Sequence, residues 1–559
     1  MINIEEKKSN KLPGGTSLYL TFNYNQEIIQ NIKYLCDVYV YDKKTRTWEV
    51  PTVNLSKLLD KFCNIDDIDL KLLKDKKSKK IDKQITTTFQ TKPYKYQKEG
   101  IEYGLNHENF LLLDAPGLGK SLQMIYLAQE LKAQEKLEHC LIICGVNTLK
   151  NNWKREIQTH SNLSCRILGE KVNKKGNITI GSIQERLEQL KNPIQEFFVI
   201  TNIETLRNTN IVKEINKNKI NKFDMIVVDE VHHCKSNTSQ QGKNLLKLTK
   251  AKHKIGLSGT ILMNNPLDCY VPLKWVGAEN CTETNFKYFY CNYGGPFGNE
   301  LKGYKNINVL KDILDKNSLR RTKDLLDLPE KNIIHEFVDM ENVQNNFYNN
   351  IKDGIISQVD KVNITTTSLL AMVSRLRQAT ACPSYLTTEN IPSAKIDRTI
   401  DIIEQILSDN NKIVIYSIFK ETLNVLNEKL KEYSPLLCTG DIKDDIISDN
   451  INKFQNDDNY KIMLATCQKM GTGITLTAAK YAIFIDCPWT QADCLQCEDR
   501  IHRIGSKEPV FIYYLWTTDT IDMKVKDIVE TKGMLSDYII DNTYQPQFID
   551  KLKQIIKEL

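Results

Sequence analysis

The stretch LLLDAPGLGKS, residues 111–121, joins an apolar run through a glycine-rich turn to a lysine and a serine. The apolar run predicts a buried β-strand, and we expect a helix to begin at about Lys120. Backbone N–H groups in such a turn can surround phosphate oxygens, assisted by the positive end of the helix dipole. We therefore expect Asp114, Gly117, Leu118 and Gly119 to belong to a phosphate-binding loop.

Two side chains after this turn have the chemistry that ATP and Mg²⁺ require. Lys120 would reach the β- and γ-phosphates, and Ser121 would hold Mg²⁺. The general pattern G-x-x-x-x-G-K-[ST] begins with glycine, whereas this sequence has Asp114 at that position. Taken alone, this motif does not exclude a chance match to the phosphate-loop pattern.

An acidic pair follows a second apolar run in FDMIVVDEVHH, residues 223–233. A strand that ends in two carboxylates can place one beside a metal and the other beside an attacking water. Asp229 would bind Mg²⁺, directly or through water, and Glu230 would polarise the water. The alternative is an ordinary strand end with two surface acids.

The stretch QCEDRIHRIGS, residues 496–506, contains two arginines whose positive charge could stabilise the transition state of phosphoryl transfer. Arg500 and Arg503 are three residues apart, so on a helix both would face one side. This geometry suits arginine fingers. A solvated basic face is the alternative.

The remaining pattern indicates two α/β lobes. Short apolar runs alternate with helical patterns, which is typical of βαβ units with a buried parallel sheet. Residues 265–395 lie between the two sets of runs and are mainly helical in pattern, which predicts inserted helices. The strand candidates are NFLLLDAP, CLIICG, FFVIT, MIVVDE and KIGLSG in the first half, and KIVIYS, PLLCTG, KIMLAT, YAIFID and VFIYYL in the second.

A smaller unit precedes the lobes. Residues 17–62 contain an alternating strand pattern (SLYLTFNY), a helical pattern (QEIIQNIKYL) and a hairpin pattern (DVYVYDKKTRTWEV). The lysine-rich residues 71–83 follow, either as a solvated linker or as a linker that also contacts phosphates. We expect a small α+β module at 1–63, a linker at 64–88, a first lobe at 89–329 and a second lobe at 330–559.

Composition sets outer limits on these interpretations. The 559 residues have room for two or three domains, and a net charge of +6 permits nucleic-acid binding without requiring it. We expect an intracellular protein, cytoplasmic in a microbe or virus and nuclear in a eukaryote, without a signal peptide or membrane span. The fifteen cysteines suggest buried, reduced thiols, and the Cys494–Cys497 spacing alone is weak evidence for a metal site.

The ordered motifs resemble those of the Swi/Snf-like ATPases of helicase superfamily two. Besides the stretches above, the chain shows YKYQKEGI, NTLKNNWKREI, VITNIETL and LSGTILMNNPLD in the family's order. LRRTKDLLDLPEK, RLRQATACP, ATCQKMGTGITLTAA and DCPWTQADCLQCEDRIHRIGS follow. The resemblance covers residues 89–537, and Asp114 matches the aspartate that this family has at the first loop position.

The resemblance implies two RecA-like lobes and a role for each matching residue. Gln97 would read adenine, Lys120 and Ser121 would bind nucleotide and Mg²⁺, and Asp229 and Glu230 would carry the metal and water roles. Arg500 and Arg503 would be the arginine fingers. Further assignments are the coupling residues Ser258 and Thr260, and Gly471 and Gly473 in the interlobe cleft, of which Gly473 is counted with the cofactor-binding residues.

Residues 22–51 also resemble the HARP module of annealing-helicase relatives, through Phe22, Tyr24, Ile28, Ile29, Tyr41, Trp48 and Pro51. That resemblance implies recognition of branched DNA or of single-strand/duplex junctions by residues 17–62. The alternative is that Trp48 and the neighbouring aromatic residues only form a small core.

The sequence therefore predicts a DNA-dependent ATPase that uses ATP and Mg²⁺, translocates on double-stranded DNA and remodels or reanneals branched DNA. Two alternatives are a motor that displaces proteins such as RNA polymerase from DNA, and a strand-separating DNA or RNA helicase. A non-hydrolysing scaffold is a third, and the intact set of catalytic residues argues against it.

Overall fold

The computed structural model describes residues 2–9, 11–36, 38–62, 68–71, 83–135, 137–145, 147–172, 178–217, 219–259, 266–294, 300–322, 325–326, 328–359, 366–470, 474–489, 491–503, 505–506 and 508–530. The chain divides into two compact units. The first comprises Met1–Ala115 and Gly119–Thr322, and the second comprises Pro116–Leu118 and Lys323–Leu559. Among the described residues, no helix is both long enough and apolar enough to cross a lipid bilayer.

The N-terminal module, residues 2–71, is a five-stranded sheet with two helices. Its elements are β1 (Ile2–Lys8), β2 (Thr16–Phe22), α1 (Gln26–Leu35), β3 (Val40–Asp42), β4 (Thr47–Pro51), α2 (Leu55–Phe62) and β5 (Ile68–Lys71). The strand order is β3-β4-β2-β1-β5, and only β1 and β5 pair in parallel. Alternating apolar residues of the strands pack against Ile32, Leu58 and Phe62 of the two helices. Asn25 caps α1 by accepting a hydrogen bond of 2.9 Å from the Glu27 N–H.

The predicted strand, helix and hairpin of this module are present, with Tyr41 opposite Trp48 in the hairpin. The structure places both ends of the predicted linker at 64–88 against folded parts of the chain. Its residues 68–71 form strand β5, while Thr86 and Thr87 donate backbone hydrogen bonds of 2.6 and 2.9 Å to the Glu130 carboxylate. Residues 72–82, the centre of the lysine-rich stretch, lie outside the described residues.

The rest of the first unit is an α/β lobe with a seven-stranded parallel sheet in the order β16-β6-β13-β12-β7-β11-β8. Two small hairpins, β9–β10 and β14–β15, lie outside that sheet. The elements are α3 (Lys95–Asn106), β6 (Asn109–Leu112), α4 (Lys120–Glu135), β7 (His139–Cys144), α5 (Asn147–His160), β8 (Cys165–Ile167), β9 (Glu170–Val172), β10 (Ile178–Ile180), α6 (Ile183–Lys191), β11 (Phe198–Asn202), α7 (Thr209–Lys217), β12 (Phe223–Val228), α8 (Gln240–Leu245), β13 (His253–Leu257), α9 (Tyr270–Trp275), α10 (Glu283–Tyr290), β14 (Cys291–Gly294), β15 (Glu300–Tyr304), α11 (Ile307–Asn317) and β16 (Ser318–Leu319).

The order of three strands in this sheet positions the candidate site. Strand β13 lies between β6, which leads into the glycine-rich turn, and β12, which ends before the acidic pair. All three strands are buried and run parallel, so their carboxyl ends lie at one edge of the sheet. The continuous apolar runs that predicted these strands reflect helices packed on both faces.

The N-terminal module is docked on this lobe through the loop between β1 and β2. Leu12 is buried in the core of the lobe. The Gly14 N–H donates to the Glu279 carboxylate at 3.1 Å, and the Asn285 side chain donates to the Lys11 carbonyl at 3.0 Å. The module and the first lobe therefore form one compact unit.

The second unit contains a six-stranded parallel sheet in the order β17-β22-β21-β18-β20-β19. Two apolar clusters pack on its faces. Its elements are β17 (Lys331–Val338), α12 (Asn342–Val359), α13 (Thr366–Ala381), α14 (Ala394–Ser408), β18 (Ile413–Ser417), α15 (Lys420–Lys429), β19 (Leu436–Cys438), α16 (Asp444–Asn456), β20 (Ile462–Thr466), α17 (Cys467–Met470), β21 (Tyr481–Phe484), α18 (Gln491–Glu498), β22 (Val510–Thr517) and α19 (Ile521–Glu530).

The predicted fold class, α/β with two parallel-sheet lobes and a small N-terminal α+β module, is confirmed, and all ten predicted lobe strands are present. The mainly helical interpretation of residues 265–395 was incomplete, because this region also contains β14, β15, β16 and the edge strand β17. Strand β17 alternates half-buried and exposed residues, so it lacks the continuous apolar run that revealed the central strands.

Candidate nucleotide site

The glycine-rich turn has the backbone conformation that a phosphate loop needs. It begins after β6, and α4 begins at Lys120. Gly117 and Gly119 have φ angles of +89° and +73°, a region that favours glycine. A Cβ atom at Gly119 would also lie 2.5 Å from the Gln97 side-chain nitrogen. Both glycines are therefore required by the fold of the loop itself.

Gln97, the residue predicted to read adenine, lies beside this loop. It is buried on α3, and its side-chain oxygen accepts a hydrogen bond of 2.9 Å from the Tyr94 N–H at the start of the helix. This bond directs the amide nitrogen towards Gly119. Gln97 is thus held in a fixed orientation next to the candidate phosphate site.

The side chains of Lys120 and Asp114, on either side of the loop, are held by contacts within the first unit. The Lys120 ammonium group donates to the Asp114 carbonyl at 2.9 Å, which keeps its charge over the loop. Ser121 follows in the first turn of α4 and is half-buried. Asp114 is fully buried, and its carboxylate accepts hydrogen bonds from Arg321 and Gln123. Leu118 is buried as well.

The acidic pair lies two strands away at the end of β12. The Asp229 carboxylate accepts a hydrogen bond of 2.9 Å from the Trp153 indole N–H and one of 3.0 Å from the Glu230 N–H. Glu230 has a φ of +52°, and a 3₁₀ turn, Val231–Cys234, follows it. This left-handed conformation is uncommon for a residue other than glycine.

The electrostatics of Asp229 favour a nearby cation. Burial, followed by the negative charge of Glu230, raises the pKa of Asp229 to about 6. The Trp153 hydrogen bond and the positive charge of Lys120 act in the opposite direction. Because the charge of Lys120 lowers the pKa of Asp229, the end of the phosphate loop and the acidic strand end are close enough to interact electrostatically.

The residues present fit Mg²⁺ bound together with a nucleotide. Asp229 and Ser121 offer oxygen ligands, which Mg²⁺ prefers, and a divalent cation would offset the buried negative charge. Within the described part of the chain, no group of three or more His, Cys, Asp or Glu side chains could hold a metal ion. Mg²⁺ here would therefore depend on nucleotide phosphates and water for its remaining ligands.

The predicted coupling residue Ser258 contacts the acidic motif. It follows β13, and its hydroxyl lies 3.0 Å from Nδ1 of His232. The same nitrogen lies 3.2 Å from the Glu230 carboxylate. Burial lowers the pKa of His232 to about 4, so the ring is neutral near pH 7. Glu230, His232 and Ser258 thus form a continuous polar chain. The other predicted coupling residue, Thr260, lies outside the described residues.

The predicted arginine pair lies in the second unit, but not on a helix. Helix α18 ends at Glu498, where the Arg500 N–H donates to the Cys497 carbonyl, three residues back, and the chain continues in turns. The Arg500 carbonyl accepts a hydrogen bond of 2.8 Å from the Leu476 N–H. Nη1 of Arg500 and Nη1 of Arg503 are nevertheless both 3.4 Å from the Ile474 carbonyl. The two guanidinium groups thus converge, although the helical basis for that prediction was wrong. Gly471 and Gly473 lie outside the described residues.

Sequence reasoning missed two residues of the site, Trp153 and Arg321. Both occur in stretches that the family resemblance singled out, NTLKNNWKREI and LRRTKDLLDLPEK. Neither stretch shows from spacing alone which acidic residue its side chain contacts. The sequence did show that each of these two motifs, to which no role was assigned, contains a strong hydrogen-bond donor: the indole of Trp153 and the guanidinium of Arg321.

Two parallel-sheet units, one with a phosphate loop and an acidic strand end and the other with a converging arginine pair, define the class of two-lobed phosphate-loop ATPases. Comparison with known families agrees. The SNF2-related domain matches residues 59–385, and the helicase conserved C-terminal domain matches residues 394–505. The chain therefore belongs to the SNF2-related family. These paired domains are those of ATP-hydrolysing, helicase-like enzymes.

Individual relatives are distant. The chain is 26% identical over 550 residues to an uncharacterized ATP-dependent helicase of Mycoplasma pneumoniae, covering 95% of this chain and 48% of the relative. It is 25% identical over 457 residues to the DNA annealing helicase and endonuclease ZRANB3 of Bos taurus, covering 79% and 40%. The chain thus spans about half the length of the curated relatives it matches. A solved structure, the Sulfolobus solfataricus SWI2/SNF2 ATPase core in complex with dsDNA, is 23% identical with a TM-score of 0.37, covering 85% and 97%.

Proposed function

We propose that this protein is a DNA-dependent ATPase that translocates on double-stranded DNA and remodels or reanneals branched DNA inside the cell. The observation that carries the proposal is the position of Lys120 after the turn that follows β6 and of Asp229 directly after β12, two strands that only β13 separates. This arrangement suits Mg²⁺–ATP bound across the edge of the sheet. Membership of the SNF2-related family and the DNA-acting name of one relative support DNA as the partner.

Each candidate site residue of the first unit would have a separate role in hydrolysis. Lys120 and the loop N–H groups would bind the phosphates, and Gln97 would select adenine. Ser121 and Asp229 would hold Mg²⁺, which supplies positive charge to the phosphates when bound. Glu230 would orient and polarise the attacking water, and Ser258 would transmit the state of that centre through His232.

The second unit would supply positive charge that stabilises the transition state of phosphoryl transfer. Arg500 and Arg503 both contact the Ile474 carbonyl, which brings the two guanidinium groups together. Arg503 is half-buried, whereas Arg500 is only 6% exposed. We therefore assign the finger role chiefly to Arg503, and a combined structural and catalytic role to Arg500.

The N-terminal module would contact the junction between single-stranded and duplex DNA. Tyr24 and Tyr34 are each 85% exposed, so their rings are available for stacking on unpaired bases. Trp48 is instead 7% exposed and packs against Tyr39 and Tyr41, with ring centroids 5.4 and 4.9 Å away. The core role is thus favoured for Trp48, and we assign the proposed contact with unpaired bases to the exposed Tyr24 and Tyr34.

Two other enzymes remain as competing functions because they use the same ATP site. A motor that displaces proteins such as RNA polymerase from DNA would need duplex DNA and no junction. A strand-separating DNA or RNA helicase would need a single-stranded loading region and would release a free strand.

The discriminating experiment compares ATP turnover with duplex DNA, single-stranded DNA, forked DNA and RNA. The proposal predicts stimulation by duplex DNA and stronger stimulation by forked DNA. It also predicts annealing of complementary strands that depends on ATP hydrolysis. Stimulation by RNA alone, or release of a displaced strand from a partial duplex, would contradict it.

A further inference from the structure

The LRRTK segment, residues 319–323, contributes an arginine to the phosphate loop. Nε of Arg321 donates to one oxygen of the Asp114 carboxylate at 2.9 Å, and Nη2 donates to the other at 2.5 Å. Nη2 also donates to the Gln123 side chain at 2.7 Å, while Nη1 donates to the Tyr96 carbonyl. Asp114 is fully buried, and the side chain of Arg321 is nearly so. This is a two-pronged, charge-assisted pair removed from water.

The backbone around Arg321 is fixed to the strand that leads into the loop. Strand β16 extends the sheet next to β6, with Leu319 opposite Leu112. The pairing continues beyond the strand, because the Leu113 N–H donates to the Leu319 carbonyl at 2.7 Å and the Ala115 N–H donates to the Arg321 carbonyl at 2.9 Å. Side-chain and backbone contacts of Arg321 therefore act on the same few residues of the loop.

The surrounding residues leave space for this pair. A Cβ atom at Gly100 would lie 2.8 Å from Nη2 of Arg321 and 2.0 Å from the Gln123 oxygen. The Arg321 guanidinium lies 5.4 Å from the centre of the Tyr96 ring, a cation–π contact. Gln123 bridges the pair by donating to the Asp114 carboxylate at 3.0 Å. Helix α3, which carries Gln97, is thus tied to the loop through the same arginine.

We propose that Arg321 is a positioning residue for the ATP site, acting through Asp114 and the Tyr96 carbonyl to hold the phosphate loop and α3 in their binding arrangement. This inference rests on the proposed ATPase function and deepens it. Aspartate replaces glycine at the first loop position because the loop is anchored by a carboxylate.

The test measures the Kd of a fluorescent ATP analogue, the KM for ATP, kcat and the melting temperature of the full chain. The variants are Arg321→Gln, Arg321→Lys, Asp114→Gly and Asp114→Asn/Arg321→Gln, with Arg320→Gln as the matched control. Arg320 is the exposed neighbour of Arg321. The control is expected to stay within about twofold of the wild type in every quantity, since surface substitutions have small effects.

Arg321→Gln is expected to raise the Kd and KM by about 10- to 100-fold with a smaller change in kcat, because the loop loses its anchor before ATP arrives. Arg321→Lys keeps the charge but not the two-pronged geometry, so it should raise the Kd several-fold. Asp114→Gly restores the general loop pattern and should still weaken binding, because it leaves Arg321 buried without its carboxylate.

The double variant separates positioning from stability. It removes both charges, so its melting temperature should recover relative to that of Arg321→Gln, while its Kd stays as high as that of Arg321→Gln. A Kd that returns to the wild-type value together with the melting temperature would overturn the proposal, as would an unchanged Kd in Arg321→Gln. Failure of the wild-type protein to bind ATP would instead overturn the proposed function.

Discussion

The Trp153 indole donates a hydrogen bond of 2.9 Å to the carboxylate of Asp229, the candidate Mg²⁺ ligand. Both side chains are buried, so this bond fixes the orientation of a carboxylate that has few other partners. Trp153→Phe keeps the ring but removes the donor. A hydrogen bond to a charged group contributes roughly 1.5–3 kcal/mol, so we expect kcat to fall about tenfold or more.

Trp275→Phe is the matched control for this prediction. Trp275 is also buried in the first unit, and its indole donates to the Leu248 carbonyl at 3.1 Å, away from the acidic motif. Both variants should lose similar stability in a melting measurement. An equal loss of kcat in the two variants would mean that Trp153 only stabilises the fold.

Substitutions of Arg500 and Arg503 should have different effects, because the two side chains differ in burial. Arg503→Ala should reduce kcat by roughly a thousandfold with little change in ATP affinity or melting temperature, since its charge acts on the transition state. Arg500→Ala should reduce kcat and also lower the melting temperature, since the side chain is buried. Single-turnover kinetics, ATP titration and melting curves measure these effects. A normal rate for Arg503→Ala would reduce it to a packing residue.

The exposed tyrosines of the N-terminal module should matter for DNA and not for folding. Tyr34→Ser should weaken binding to forked DNA about tenfold at an unchanged melting temperature, because base stacking contributes roughly 1–3 kcal/mol. Trp48→Ala should instead destabilise the module, since truncating a buried Trp costs about 3–5 kcal/mol. Tyr288→Ser, at an exposed tyrosine of the lobe, is the control. Equal binding by Tyr34→Ser and the wild type would remove Tyr34 from the junction contact.

Deletion of the whole module is a poorer test than these substitutions. Leu12 is part of the core of the first lobe, and the Gly14 N–H binds Glu279. Removal of residues 1–83 would therefore expose apolar surface of the lobe and change two properties together.

Acidification should destabilise the first unit through the buried His253 and the charged groups around it. Burial lowers the pKa of His253, while its hydrogen bond with Glu135 acts in the opposite direction. Lys252 also lowers this pKa, and Glu108 raises it. The unfolded chain thus binds a proton near pH 6.5 that the folded chain does not bind, so stability is present above pH 6.5 and lost as the pH falls below it.

Glu135 contributes in a lower pH range. Burial acts to raise its pKa, but hydrogen bonds from Lys252, Lys83 and His253 lower it to about 2. This part of the stability is lost as the pH falls from about 4.5 towards 2. His253→Gln should therefore flatten the melting-temperature profile between pH 6.5 and 5 and leave the decline below 4.5. An unchanged profile between pH 6.5 and 5 would contradict the role of His253.

Much of the fold was predictable because its central strands are buried on both faces. Runs such as CLIICG and KIVIYS have no other stable environment in a protein of this composition. Strand β17 could not be found in this way, since one face of that edge strand remains exposed. Strand β5 was hidden by the lysine-rich stretch that begins at its last residue.

The conformation of the glycine-rich turn was predictable because one short segment determines it. Gly117, Gly119 and Lys120 are adjacent, and their role follows from backbone geometry. The partners of Asp114 and Asp229 are 207 and 76 residues away in sequence. The end of α18 was also missed; the Arg500 N–H donates to the Cys497 carbonyl, three residues back, and the Arg500 carbonyl accepts a tertiary hydrogen bond from the Leu476 N–H. Such contacts depend on the folded sheet and not on local propensity.

The most direct test of the central claim is the steady-state rate of ATP hydrolysis with and without duplex DNA, measured for the wild type, Lys120→Ala and Glu230→Gln. The wild type should be stimulated by duplex DNA. Lys120→Ala should lose turnover together with ATP affinity, whereas Glu230→Gln should bind ATP normally and fail to cleave it, because the attacking water is no longer polarised. Near-normal, DNA-stimulated turnover in Glu230→Gln, or a wild-type rate that ignores duplex DNA, would contradict the account.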